Sequence, residues 1–331
     1  PELIAQFPTP QRDSSRLLVI NRKDGRIEHT IFHRIVDYFK PGDVLVINDT
    51  KVKPAKILGQ KETGGKVEVL LIQPLNKGEY PKKKNVWEVL ISCSKKPRIG
   101  SWLFLESNLS AQVVQRKEEG LWDVELKYKG DLDEILGEIG KTPLPPYIKR
   151  KSFNQDSYDR KCYQTIFARK VGSVAAPTAG LHFTETLIKQ IQQKGVKILS
   201  ATLHVGLGTF QPVRVKNIED HRMHHEYYEI SPKTAKKITQ AIEKGERIIA
   251  VGSTSVRIME TLGQKNAPLR GNTDLFIYPG YAFKTVKGLI TNFHLPRSTL
   301  LMLVAAFVGK NLLFRAYQEA IANKYRFYSY G

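Results

Sequence analysis

Two cysteines in 331 residues, Cys93 and Cys162, are too few for a disulfide framework or a four-cysteine zinc site. That scarcity points to a reducing compartment, and the chain is expected to be cytoplasmic. Long apolar runs are lacking as well. The longest, Leu300 to Val308, falls well short of the ~20 residues a membrane-spanning helix needs, so no membrane partner is expected. Pro1 to Pro10 show no basic start followed by an apolar stretch, so no targeting signal is read there; short segments beyond both ends are expected. Internal repeats and low-complexity tracts are absent too. With 41% hydrophobic and 25% charged residues, a mainly disordered chain is excluded. At roughly 150 residues per domain the length gives about two domains.

Acidic residues are in the minority: 32 Asp and Glu stand against 52 Lys and Arg, a net charge of +20. Such an excess describes partners rather than fold. Basic clusters occur at Lys82-Lys83-Lys84, Lys95-Lys96-Pro97-Arg98 and Lys149-Arg150-Lys151, and Tyr80, Trp87, Trp102, Tyr147 and Phe153 lie beside them. Cations hold phosphates and aromatic rings stack on unpaired bases, so RNA with exposed loops fits the pattern. Solvated lysines on an ordinary basic protein fit it too. No zinc-finger spacing, RNA-recognition-motif signature or basic heptad region is present.

The apolar pattern changes twice along the chain. Residues 16–20 read as a strand, 31–39 as a helix and 43–49 as a buried strand. From about Ile57 to Pro143, short apolar runs at 66–72, 86–91, 102–105, 111–114 and 121–126 are separated by turn residues, which predicts a small β-barrel. After Asp156 helices and strands alternate: helices at 183–194, from Ser231-Pro232 to about 244, at 255–262, 299–309 and 312–322; strands at 196–203, 247–252, 273–278 and 288–293. The expected fold is α/β, a larger α/β domain of residues 1–56 plus 147–331, with a β-barrel domain of residues 57–146 inserted in it.

Several stretches can carry chemistry. Gly172 to Thr184 is rich in small residues and enters a helix at Thr184, which suits close backbone approach by a ligand, or simply a tight structural loop. His204-Val205-Gly206-Leu207-Gly208 runs from a strand into a Gly-x-Gly loop without the third glycine of a dinucleotide fingerprint. Asp220 to Glu226 packs three histidines and two acids into seven positions. Acid–base work or substrate contact is the first reading there, a solvated loop the second and a metal the last, since the spacing is not His-Glu-x-x-His. Gly252-Ser253-Thr254-Ser255-Val256-Arg257 follows a buried strand, where hydroxyls either cap a helix or meet a ligand. Asp274 and Thr291-Asn292-Phe293-His294 place further polar groups near strands.

Taken together these stretches resemble the S-adenosylmethionine:tRNA ribosyltransferase-isomerase family of queuosine biosynthesis. The resemblance rests on Gly42-Asp43-Val44-Leu45-Val46-Ile47-Asn48-Asp49-Thr50, on Tyr163-Gln164-Thr165 with the block from Gly172 to Thr184, on His204-Val205-Gly206-x-Gly208-Thr209-Phe210 and on Asp220-His221-x-Met223-His224-x-Glu226. Thr291-Asn292-Phe293-His294-Leu295-Pro296 and the terminal Tyr325 to Gly331 complete it. Lys51 departs from the arginine more usual in the family, which keeps the charge and loses the forked hydrogen bonding. The barrel region is similar only loosely.

The resemblance implies an enzyme that transfers and isomerises the ribosyl part of S-adenosylmethionine onto 7-aminomethyl-7-deazaguanine at the tRNA wobble position. Epoxyqueuosine forms, and adenine and methionine leave. Its partners would be that tRNA and S-adenosylmethionine as co-substrate, with no tightly bound cofactor and no metal, and a monomer is expected. Catalytic roles are expected among His182, His204, His221, His224 and His294, because this chemistry moves several protons near neutral pH. Substrate contacts are expected from Thr178, Gly180, Gly206, Gly208, Thr254, Arg257, Asp274 and Asn292, and tRNA contacts from Lys149 and Arg150. A non-catalytic RNA-binding protein and a metal-dependent hydrolase built on the His221 cluster are the alternatives.

Overall fold

The computed structural model of the chain describes residues 2–75, 85–150, 156–206, 213, 215, 217–328 and 330. Val44–Asn48, buried at every position, is an inner strand of a six-stranded sheet. The order across that sheet is Arg270–Thr273, Glu226–Glu229, Lys197–Leu203, Val44–Asn48, Ile248–Val251 and Val286–Ile290. Val46 pairs with Leu199 on one side and with Ala250 on the other, both in parallel register. Val286–Ile290 continues the parallel set, whereas Glu226–Glu229 runs antiparallel to both of its neighbours.

A strand covered on both faces needs apolar residues at every position, which is why Val44-Leu45-Val46-Ile47 shows no alternation. Val44 and Val46 belong to a core with Ile238 and Ala241 of helix Pro232–Glu243, Val256 and Met259 of helix Gly252–Leu262, and Leu303 of helix Thr299–Val308. Leu45 and Ile47 belong to a second core with Phe32, Phe183 and, from helix Glu185–Gln193, Leu187 and Ile191. Helices therefore cover both faces of the sheet.

Thr184 and Ser231 cap their helices through their hydroxyls, as the sequence predicts. The helix after the strand Ile248–Val251 differs. It begins at Gly252, not Ser255, and no side chain caps it. Two further elements depart from expectation. Residues 31–39 form the 3-10 turn Phe32–Tyr38 after strand Ile27–Ile31, which pairs with Arg16–Ile20. The strand expected over 273–278 is Arg270–Thr273, because Arg257 binds the carbonyls of Thr273 and Leu275 and draws the chain after Thr273 out of the ladder.

The barrel is closed and antiparallel, in the order Leu121–Lys127, Val86–Ser92, Lys66–Pro74, Lys56–Lys61, Trp102–Leu105, Ser110–Arg116 and back to the first. Val67, Val69 and Leu71 point into its core, while Leu70 and Ile72 stay half-buried outside, which accounts for the blurred alternation in that run. The sixth strand, Lys56–Lys61, carries Gly59 and only two large apolar residues, and its sequence does not announce it. Helix Leu132–Ile139, capped by Asp131, adds Leu136 and Ile139 to the barrel core.

Two compact units result. One comprises Pro1–Lys51, Pro145–Lys151 and Cys162–Gly331, the other Val52–Leu144 and Ser152–Lys161. The barrel unit thus starts at Val52 where the sequence suggests residue 57, ends its main segment at Leu144 where the sequence suggests 146, and takes in residues 152–161. No single helix is long and apolar enough to cross a membrane among the described residues.

Candidate active site

Three parallel strands deliver their carboxyl ends to one cavity of about 230 Å³ in the larger unit. Val205 follows Lys197–Leu203, Gly252-Ser253-Thr254 follow Ile248–Val251, and Thr291, Asn292 and His294 follow Val286–Ile290. The carboxyl ends of such strands are the usual ligand site of open α/β sheets. Ala176, Pro177, Thr178 and Ala179 supply another wall, and Tyr147 and Tyr328 a third. The described lining contains no Asp, Glu, Lys or Arg: mostly apolar surface with a few convergent hydroxyls, one amide and one imidazole.

Of the catalytic and substrate-contact residues expected from the sequence, Thr178, Thr254, Asn292 and His294 line this cavity. His182 lies one residue behind it. Its Nε2 is 2.8 Å from Asn292 Oδ1, and Asn292 Nδ2 donates to Thr178 Oγ1 at 3.0 Å. Burial pulls the His182 pKa below the ordinary imidazole range, the bond to Asn292 opposes that shift, and the Arg326 charge adds to it. His294 accepts or donates at 3.0 Å with Thr291 Oγ1, and its backbone N–H donates to Tyr317 Oη at 2.8 Å. Burial alone brings its pKa down to about 4, so its ring is neutral near pH 7.

The other residues lie elsewhere. His204 bonds Thr50 Oγ1 through Nδ1 at 2.8 Å and stacks on Tyr227 at 5.8 Å. Its ring fills the place a Cβ on Gly172 would occupy, 2.7 Å from its Cε1. Gly180 is buried against Thr165, and the Gly206 N–H donates to Glu226 Oε1 at 2.7 Å. Arg257 is buried in an ion pair with the other oxygen of Glu226, and donates to Thr273 O at 3.0 Å and Leu275 O at 3.2 Å. Both cation and carboxylate thus lock the sheet edge. His221 meets the edge of Phe276 at 5.0 Å, and the exposed Asp274 lies 3.8 Å from His225. With half-buried His224 they line no part of the described cavity. Gly208, the Lys82-Lys83-Lys84 cluster, Lys151, Tyr80 and Phe153 lie outside the described residues. Lys149 is exposed, whereas Arg150 donates to Gln6 O at 2.9 Å and lies over the rings of Phe7 and Tyr330. Among the described residues no group of three or more His, Cys, Asp or Glu is arranged to hold a metal ion.

Sequence reasoning named Tyr147 as a base-stacking aromatic and Tyr328 within the terminal block, but assigned neither to this site. Tyr147 and Tyr328 stack at 4.0 Å between centroids with planes 15° apart. Tyr328 holds this position with φ of 57°, a left-handed conformation that a bulky residue adopts only under constraint, and its Oη has no hydrogen-bond partner. The available signal was the density of aromatics from Tyr325 to Tyr330, although Tyr325, Phe327 and Tyr330 are used in ring packing.

A ligand-sized cavity at the carboxyl ends of parallel strands, in a chain that also carries a closed antiparallel barrel, defines an α/β enzyme with an inserted barrel. The model of the family described as queuosine biosynthesis protein matches residues 1–331, and the chain belongs to that family. It is 50% identical over its whole length, and 95% of the relative's, to the S-adenosylmethionine:tRNA ribosyltransferase-isomerase of Halothermothrix orenii. It is 48% identical, with the same coverages, to the protein of that name from Thermotoga maritima. A crystal structure of S-adenosylmethionine tRNA ribosyltransferase from Thermotoga maritima matches 100% of this chain and 95% of that one, with a TM-score of 0.55 and 38% identity.

Proposed function

We propose that this enzyme transfers and isomerises the ribosyl moiety of S-adenosylmethionine onto 7-aminomethyl-7-deazaguanine in the wobble position of tRNA. The product would carry epoxyqueuosine, with adenine and methionine released. The observation that carries the reading is the uncharged, mostly apolar cavity bordered by His294 and the His182–Asn292–Thr178 chain, in a full-length relative of enzymes bearing that name.

The chemistry asks for proton movements. The sulfonium acidifies the adjacent 5′ carbon, the exocyclic amine must lose a proton to attack, and adenine leaves well only when protonated. His294, neutral and in the lining, would offer a hydrogen-bonding ring nitrogen to the substrate, and its lowered pKa makes it a weak base until a substrate charge raises it. His182 orients Asn292, whose amide then points one donor at Thr178. His204, His221, His224 and Asp274, together with Gly180, Gly206 and Arg257, lie outside this lining and would act in support of the loops or on the tRNA side. Asp274 is proposed to meet the deazaguanine edge or its amine, and Lys149 the tRNA, with Arg150 anchoring the segment that carries Lys149. The enzyme would work in the cytoplasm as a monomer without a tightly bound cofactor.

Chromatography of the products from S-adenosylmethionine and tRNA bearing the aminomethyl-deazaguanine tests the reading. Adenine and methionine should appear together, with a matching mass gain on the modified nucleoside. Folded protein that binds this tRNA yet releases no adenine would defeat it.

A further inference from the structure

The proposed co-substrate presents a carboxylate, an ammonium and a sulfonium, yet the described cavity lining has no fully charged side chain. A carboxylate removed from water without a cation needs several donors or a fixed positive potential. One wall supplies both. Helix Gly252–Leu262, eleven residues long, starts there without a side-chain cap, and Gly252, Ser253 and Thr254 face the cavity. Helix Thr299–Val308 starts on the same wall, contributing Ser298 and Leu300. First-turn N–H groups lack intrahelical acceptors, and each helix start carries the equivalent of about half a positive charge.

Independently of the helix ends, the Thr254 side chain is only 7% exposed and its Oγ1 has no hydrogen-bond partner. Thr299, 4% exposed, leaves its Oγ1 unpartnered as well; together with Thr254 and Arg257, which is paired with Glu226, it borders a void of about 10 Å³ behind the wall and does not itself line the cavity. A buried hydroxyl without a partner costs about 1–3 kcal/mol, so Thr254, the one of the two that lines the cavity, offers a preorganised donor there. Gly252 keeps the approach open. Its φ is +83°, and Thr254 Oγ1 lies 3.6 Å from where its Cβ would stand.

We infer that this wall is the binding site for the carboxylate at the amino-acid end of the co-substrate, held by Thr254 Oγ1 and the first-turn N–H groups of helix Gly252–Leu262. The inference rests on the proposed function. It gives the cavity a polarity: the carboxylate at the helix starts, and the sulfonium towards the wall made by the stacked Tyr147–Tyr328 pair, whose facing surfaces cover each other.

The test compares adenine release from S-adenosylmethionine and from its decarboxylated analogue, which keeps both positive charges, at saturating substrate tRNA. Wild-type enzyme should lose about tenfold or more in kcat/KM with the analogue, chiefly through KM, equivalent to about 1.4 kcal/mol or more. Thr254→Val and Thr254→Ala should raise KM for S-adenosylmethionine about three- to tenfold and change kcat/KM for the analogue less than twofold. Equal kcat/KM for the two compounds in the wild type overturns the assignment, whatever the variants do. So do variants that impair both compounds equally. A wild type that releases adenine from neither compound instead defeats the functional reading and the subsite with it.

Discussion

His294 shows how one burial decides both chemistry and stability. With its pKa brought down to about 4, it is protonated more readily in the unfolded chain, where the ordinary value is about 6.5. Between those values the unfolded state binds the extra proton. Its contribution to stability is therefore full above about pH 6.5 and is lost as pH falls towards 4, an effect on the order of 3 kcal/mol. Urea unfolding at pH 7 and pH 5 should show a drop in wild-type stability that His294→Gln reduces; an unchanged drop would exonerate this residue. Asn292 makes a second residue-scale case. Asn292→Ala removes both the Nε2 partner of His182 and the donor to Thr178. Turnover should fall about tenfold or more, in kcat rather than in tRNA affinity, because positioned proton-transfer groups contribute factors of roughly 10²–10⁴. Histidines are visible in a sequence; which of eight are pressed into the dark of a cavity is not. His182 and its partner Asn292, which stands two positions before His294, are 110 residues apart in sequence, and only the sheet brings their loops together.

At the scale of elements, legibility follows local chemistry. Thr184 and Ser231 are read as caps because the cap is a contact between near neighbours, as are the positive-φ glycines Gly195 and Gly245 that close the same helices. Gly252-Ser253-Thr254-Ser255 looks like another cap, but the strand before it runs straight into the helix and frees the hydroxyls. Lys56–Lys61 and Glu226–Glu229 are strands because of their partners, and nothing within either segment says so. Arg257 belongs here as well. From sequence it is a substrate contact; in the fold it neutralises buried Glu226 and fastens the turn after Thr273. Arg257→Met should cost about 3–5 kcal/mol of unfolding free energy, since it strands a buried carboxylate. Pairing it with Glu226→Gln should recover a good part of that loss in chemical denaturation. A single variant as stable as wild type would mean the pair carries no such role.

For the molecule as a whole, the net charge of +20 divides into two populations with different duties. Many arginines are spent on the fold. Arg12 holds Gln164 O at 2.7 Å, Arg22 holds Phe307 O and Lys287 O at 3.0 Å each, and Arg326 holds Phe7 O at 2.9 Å. A planar fork with several donors suits that work, whereas a lysine ammonium on a flexible stem is more easily left to solvent and to polyanions. Neighbours Lys149 and Arg150 embody the division. Lys149 is exposed, while Arg150 is bonded to Gln6 O and laid over Phe7 and Tyr330. They read as one basic patch in sequence because side-chain direction has no sequence signature. Lys149→Glu should weaken tRNA binding and lessen its salt dependence by about one phosphate contact, with the thermal midpoint unchanged. Arg150→Glu should instead lower the thermal midpoint, because the carboxylate faces the Gln6 carbonyl and two aromatic rings. Binding titrations across a range of salt concentrations, set beside thermal melts, separate the two. If Lys149→Glu left the salt slope untouched, the charge that meets tRNA would have to be carried by lysines elsewhere on the chain.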